Sequence, residues 1–179
     1  MRIEIQEQSS STLMSYRSIG YSIIALFMFV AHLVFLDFIS IAGITPNLLI
    51  ILCVFIALFE GQFFAIFAGF FIGLLFDFFS GDIVGINAFT KMTTAFLAGF
   101  FYRENKIEQS IKSYNFLILV FFTSFVHNII YFIFYIKGTD ISFINFFLKY
   151  GLASSFYTTV ISGFVPFIKL PRKPIVKQY

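Results

Sequence analysis

The chain has 179 residues, of which 59% are hydrophobic and only 12% are charged. Soluble domains average roughly 45–50% apolar and about 25% charged residues, so a chain of this length could not bury so much apolar surface. The composition excludes a soluble domain and predicts an all-α membrane protein, a compact helical bundle in the lipid bilayer. It gives no support for nucleic-acid binding. The single cysteine, Cys53, excludes a disulfide framework and a thiolate metal site, and no cofactor is predicted.

Residues 1–18 are polar and predict a flexible cytoplasmic tail. The apolar run after them is longer than the roughly 7–15 residues of a cleavable signal segment, so it is predicted to remain as a membrane anchor. Residues 19–168 are predicted to form a six-helix transmembrane domain, and residues 169–179 a basic cytoplasmic tail. The predicted helices are Ile19–Ile41, Pro46–Phe59, Gln62–Phe79, Asn87–Tyr102, Tyr114–Ile136 and Gly151–Ile168.

Two segments leave alternatives open. Pro46 suits the first turn of the second helix, where its missing N–H is not needed. That helix is nevertheless shorter than the roughly 17–25 residues of an ordinary span, so it could cross a thinned bilayer or be partly re-entrant. Residues 141–150 could form an interfacial helix or the beginning of the sixth helix.

The basic residues predict the orientation of the chain. Six spans place both termini on one side of the membrane, together with the charged loop over residues 103–113. That side then carries nine of the twelve lysines and arginines: Arg2, Arg17, Arg103, Lys106, Lys112, Lys169, Arg172, Lys173 and Lys177. Because cytoplasmic loops are enriched in lysine and arginine, both termini are predicted to be cytoplasmic.

The stretch from Gly69 to Ala88 is the most unusual part of the chain. Four glycines and an aspartate recur at a spacing of four, at Gly69, Gly73, Asp77, Gly81 and Gly85. Residues at this spacing lie near one face while the chain is helical, where small residues let another helix approach closely. A charged side chain at the centre of a membrane helix costs roughly 2.5–3.5 kcal/mol or more, so Asp77 is predicted to lie at the membrane edge or to have a partner.

The third and fourth predicted helices carry matching stripes. The third has Ala65, Gly69, Gly73 and Asp77, and the fourth has Asn87, Lys91, Ala95 and Gly99. A short connection makes these helices antiparallel neighbours, which predicts that Asp77 hydrogen-bonds Asn87 and pairs with Lys91. The alternative is that the two charges reach interfacial water independently.

Other polar residues are candidates for chemical sites. Asp77 and Asp82 flank a single turn, so they do not supply the two converging carboxylates of an aspartyl protease. His32 and His127 lie at similar depths and could form a proton path or a metal site, but two histidines alone make a poor metal site. The favoured interpretation is that His127 and Asn128 form packing hydrogen bonds between helices. No catalytic residue is predicted.

Two segments of the chain resemble the MreD family of rod shape-determining proteins. These are Pro46-Asn47-Leu48-Leu49 and Gly69-x3-Gly73-Leu74-x2-Asp77-x2-Ser80-Gly81-x3-Gly85-Ile86-Asn87-Ala88. The resemblance implies a non-enzymatic, multi-pass scaffold of the elongasome in the bacterial cytoplasmic (inner) membrane. It also implies action in peptidoglycan synthesis with an MreC-like bitopic protein, MreB, RodA and a class B penicillin-binding transpeptidase.

The resemblance also gives an alternative from another functional class. The MreD family is similar in fold to the substrate-binding components of energy-coupling-factor vitamin transporters, so a solute-capture subunit is the second hypothesis. Those components share an Ala-x3-Ala pattern on the first helix, whereas Ala25, Ala31 and Ala42 are never four residues apart here. The scaffold is therefore favoured, and its partner helix is expected at a small-residue ridge on the sixth helix: Ser155, Thr159 and Gly163.

Overall fold

The structure is a computed structural model that describes residues 19–20, 22–32, 34, 38–81, 83–137, 139–140 and 142–167. Both predicted tails and Asp82 lie outside these residues. Within them the protein is helical, and an isolated bridge joins Ile41 and Ile44. The elements are α1 (Ser22–His32), α2 (Leu48–Glu60), α3 (Gln62–Ser80), α4 (Ile86–Gly99), a 3₁₀ turn (Glu104–Lys106), α5 (Ile107–Ile111), α6 (Tyr114–Tyr135), α7 (Phe143–Phe146), a π-helical turn (Phe147–Leu152), α8 (Ala153–Ser162) and a 3₁₀ turn (Val165–Phe167).

The first helix is shorter than predicted. Its described helical residues end at Val34, and the chain turns at Phe38. Beyond this point Ile41 and Ile44 exchange two backbone hydrogen bonds of 3.1 and 3.0 Å. The two residues between them have positive φ angles, 54° at Ala42 and 77° at Gly43. This is the backbone of a tight hairpin turn.

Helix α2 is the centre of the bundle. Ten of its residues are buried, and they lie on every side of the helix: Leu49, Ile50, Ile51, Leu52, Cys53, Val54, Ile56, Ala57, Leu58 and Phe59. A helix that is apolar all round belongs inside a larger assembly of helices. With 13 residues, α2 extends about 20 Å at 1.5 Å per residue. Helices α3, α4, α6 and α8 surround α2. This central position explains why α2 is apolar on every side.

The outer helices present apolar surface. Helices α3 and α6 are each long and apolar enough to cross a membrane, and only 22% and 39% of their most apolar windows are buried within the protein. On α3 the exposed side chains include Phe63, Phe67, Phe71 and Phe78. Contiguous exposed apolar surface of this kind marks a membrane or protein contact.

The last helical segment answers one of the open alternatives. Residues 143–162 form one continuous helical run, so most of the 141–150 segment belongs to the last helix. The π-helical turn at Phe147–Leu152 interrupts its α-helical hydrogen bonding. Inserted turns of this kind often occur at functional positions.

The charged loop over residues 103–113 contains structure that was not predicted. Its short helix α5 buries Ile107 and Ile111 against the bundle. The two isoleucines are one helical turn apart, and this spacing is the signal that could have predicted the helix. Lys112 and Glu108 form an exposed ion pair of 2.6 Å on the same turn.

Candidate functional site

Helices α3 and α4 meet along a seam of small residues. The buried residues of α3 are the predicted stripe and one isoleucine: Ala65, Gly69, Ile72, Gly73 and Asp77. A Cβ atom on Gly73 would lie 2.3 Å from the carbonyl oxygen of Asn87, and one on Gly69 would lie 2.8 Å from that of Lys91. The backbones of the two helices are therefore in direct contact, which only glycine allows at these positions.

Gly81 and Gly85 have a different role from the one their spacing suggested. Both lie outside the helices, and a Cβ on either would meet no atom of the described residues within 4 Å. Gly81 ends α3 with a φ of 73°, and Gly85 precedes α4 with a φ of 101°. These are left-handed conformations that glycine adopts without strain. Gly81 and Gly85 were expected to contribute to helix packing, but in the structure they form the turn between the two helices.

Asp77 is buried at the end of this seam and binds the beginning of α4. It is 1% exposed. Its Oδ2 accepts hydrogen bonds from the backbone N–H groups of Gly85 (2.9 Å) and Ala88 (3.0 Å), and its Oδ1 accepts one from that of Asn87 (3.0 Å). Gly85, at the N-cap position of α4, has no side chain to cap that helix. Asp77 supplies the cap from the preceding helix.

This arrangement explains how a carboxylate is tolerated here. The first N–H groups of a helix have no partner within the helix, and they carry a partial positive charge. Three of them converge on Asp77, and hydrogen bonds to an ionised acceptor are stronger than neutral ones. In α3 itself, Asp77 lies in the last turn, where a negative charge is unfavourable. The Asp77 carboxylate is therefore stabilised by α4. Its hydrogen bonds hold α3, the turn and α4 together.

Lys91 is fully buried one turn further along α4. Its Nζ donates a 2.7 Å hydrogen bond to Oδ1 of Asn87 and lies 4.6 Å from the centre of the Phe76 ring. The His32 ring meets the same phenylalanine edge-on, with 5.0 Å between ring centres. The structure thus brings α1, α3 and α4 together around this ammonium group. The ion pair between Asp77 and Lys91 stays a prediction.

The segment before α2 joins the bundle to α8. The side chain of Asn47 caps α2 by accepting from the backbone N–H of Ile50 (3.2 Å), and the backbone N–H of Asn47 donates to Oγ1 of Thr158 (2.9 Å). Helix α2 therefore starts after Asn47, and Pro46 precedes the cap instead of occupying the first turn. Ser154 adds a hydrogen bond from its hydroxyl to the carbonyl of Thr45 (2.9 Å).

Asn128 connects α6 to the π-helical turn. Its Nδ2 donates to the carbonyl of Gly151 and to the hydroxyl of Ser155, both at 2.9 Å. Ser155 is completely buried. It was expected on a ridge available to a partner helix, but it lies inside the bundle against α6.

His127 and His32 face a polar cavity of about 200 Å³. The cavity is also lined by Asn47, Phe76, Asn87 and Tyr131, and it lies where α3 ends and α4 begins. Within the described part of the chain, no three histidine, cysteine or carboxylate side chains come together as metal ligands. The two histidines were predicted to lie at similar depths, but the sequence did not predict that they line one cavity together with residues of four other elements.

A family model described as rod shape-determining protein MreD matches residues 16–172, which is most of the chain. The chain belongs to the MreD family. The resemblance found in the Pro46 and Gly69–Ala88 segments is confirmed, and both segments lie inside the matched region. Family membership identifies a membrane protein with a role in rod shape determination. Neither curated proteins nor solved structures gave a significant match.

Proposed function

We propose that this MreD-family protein is a non-enzymatic scaffold of the cell-wall elongation machinery in the bacterial cytoplasmic membrane. The observation that carries the proposal is the family match over residues 16–172. The packing supports a scaffold, because the residues that most resembled a chemical site hold α3 and α4 together. Asp77 caps α4, and Gly69 and Gly73 bring two backbones into contact.

The proposal includes six membrane segments with both termini in the cytoplasm. Helices α1, α2, α3, α4 and α6 supply five segments, and the run from α7 to α8 supplies the sixth. The basic residues Arg103 and Lys106 are exposed beyond the end of α4, on the side that the charge bias assigns to the cytoplasm. The opposite end of α4 then faces outward, together with Asp77 and the polar cavity.

Its proposed partners are an MreC-like bitopic protein, MreB, RodA and a class B penicillin-binding transpeptidase. A bitopic partner would contact this protein through a membrane helix. The outward side of α8 supports such a contact, since Phe156 and Val160 are 56% and 68% exposed. Of the small-residue ridge, Ser155 is buried within the bundle, whereas Thr159 and Gly163 are partly exposed.

Depletion and rescue in the native host test the proposal. Cells that lose the protein should lose rod shape, and the wild-type gene should restore it. Gly73→Val should fail to restore it, because the added side chain separates α3 from α4. Gly20→Val is the matched control, since a Cβ there meets nothing within 4 Å. Cells that stay rod-shaped after depletion would contradict the proposed function.

Co-purification from detergent supplies the second test. An MreC-like protein should co-purify with the wild-type chain. Recovery of a coupling ATPase instead, with no MreC-like protein, would favour the solute-capture alternative.

A further inference from the structure

The polar cavity near the beginning of α4 is large enough for a small organic molecule. Its walls come from α1, the segment before α2, α3, α4, α6 and α8, and its volume is about 200 Å³. A single water molecule needs only about 10–15 Å³ of such space. The cavity therefore exceeds what one or two bridging waters would occupy.

Two of the residues that line this cavity carry a buried ring nitrogen. Nδ1 of His127 and Nδ1 of His32 are both buried, and neither has a hydrogen-bond partner among the described residues. The His127 residue as a whole is only 3% exposed. Buried polar atoms in proteins are almost always hydrogen-bonded. The two histidines come from different helices and line one cavity, so their nitrogens without partners are the atoms that a bound molecule would satisfy.

The chemistry of the walls restricts the class of ligand. A neutral imidazole has one N–H donor and one acceptor nitrogen, and a hydroxyl group can satisfy either. The side-chain amides of Asn47 and Asn128 add further polar atoms, and the rings of Phe76 and Tyr131 add flat apolar walls. The buried ammonium group of Lys91 lies against two residues of the wall, at 2.7 Å from Asn87 and 4.6 Å from the Phe76 ring centre. This positive charge disfavours a cationic ligand.

We propose that this cavity binds a small, uncharged, hydroxyl-bearing molecule of about the size of a monosaccharide, with His32 and His127 as its hydrogen-bonding residues. The proposal does not depend on the scaffold function, because the binding residues are separate from the outward face of α8.

Saturation-transfer NMR on the full chain in lipid nanodiscs tests this proposal. Glucose is the neutral probe, and glucosamine in its ammonium form is a cationic probe of nearly the same shape. Wild-type protein should give a saturable signal with glucose and a much weaker one with glucosamine. His32→Phe and His127→Phe should each reduce the affinity for glucose by about tenfold, the effect of losing one well-formed hydrogen bond.

Thr93→Val is the matched control. The Thr93 hydroxyl is exposed and donates to the carbonyl of Phe89 in its own helix (2.9 Å), so glucose binding should be unchanged. If His127→Phe fails to fold, His32→Phe decides, because a phenylalanine can keep the edge-on contact with Phe76. The absence of a saturable glucose signal from wild-type protein would overturn the proposal, as would equal binding by the histidine variants. Glucose binding without co-purification of an MreC-like protein would leave this proposal standing and contradict only the scaffold.

Discussion

Replacement of Asp77 by asparagine tests the capping of α4 most directly. The carboxylate accepts three backbone hydrogen bonds of 2.9, 3.0 and 3.0 Å from the first residues of that helix. Asparagine has a similar shape but a single acceptor oxygen. With that oxygen in the position of Oδ2, the bonds from Gly85 and Ala88 become neutral ones. The amide NH₂ then faces the N–H of Asn87, and the third bond is lost.

The expected loss follows from ordinary hydrogen-bond energies. A hydrogen bond to a charged group contributes about 1.5–3 kcal/mol and a neutral one about 0.5–1.5 kcal/mol. Because these bonds share one acceptor group they are not additive, and the net loss for Asp77→Asn should be about 3 kcal/mol. For a chain of this size, each kcal/mol corresponds to about 2–4 °C, so Tm should fall by about 6–12 °C.

Thermal unfolding of the purified protein in mild detergent, followed by far-UV circular dichroism, measures this shift. Asp140→Asn is the matched control, because Asp140 is exposed in the connection after α6 and its replacement should leave Tm unchanged. A Tm for Asp77→Asn equal to that of the control would refute the capping argument. A higher Tm would also refute it, because burial of the charge would then outweigh its three hydrogen bonds.

Two further experiments test the packing and pairing of the seam. Gly73→Ala should lower the free energy of unfolding by about 1–3 kcal/mol through overpacking, since the new Cβ would lie 2.3 Å from a carbonyl oxygen of α4, whereas Gly20→Ala should have little effect. A double-mutant cycle of Asp77→Asn and Lys91→Gln should give a coupling energy of about 1 kcal/mol or more if these side chains pair. Additive effects in urea-denaturation measurements would show that they act independently.

Part of this site followed from local sequence pattern. The buried stripe of α3 was predictable because Ala65, Gly69, Gly73 and Asp77 recur at nearly the helical period, and a short connection makes α3 and α4 antiparallel neighbours. A prediction from spacing alone overstates the packed stripe, because the spacing of four continues through Gly81 and Gly85 after the helix has ended. Spacing alone does not distinguish a glycine that permits close packing from one that permits a left-handed turn.

Other features were not encoded in any local pattern. The backbone N–H of Asn47 donates to Oγ1 of Thr158, 111 residues away. The π-helical turn places the Gly151 carbonyl opposite Asn128, 23 residues away. Such contacts join distant parts of the chain, so hydropathy and periodicity carry no signal for them.

The sequence by itself determined the membrane class, the family and most helix positions, because composition and periodicity are properties of contiguous residues. Only the tertiary structure decided that α2 lies at the centre and that Asp77 caps another helix. It also decided that His32 and His127 share one cavity. The physical reason is that burial and hydrogen-bond partners depend on which helices become neighbours. In this bundle the backbone contact at Gly69 and Gly73 fixes one such pair and positions Asp77 at the beginning of α4.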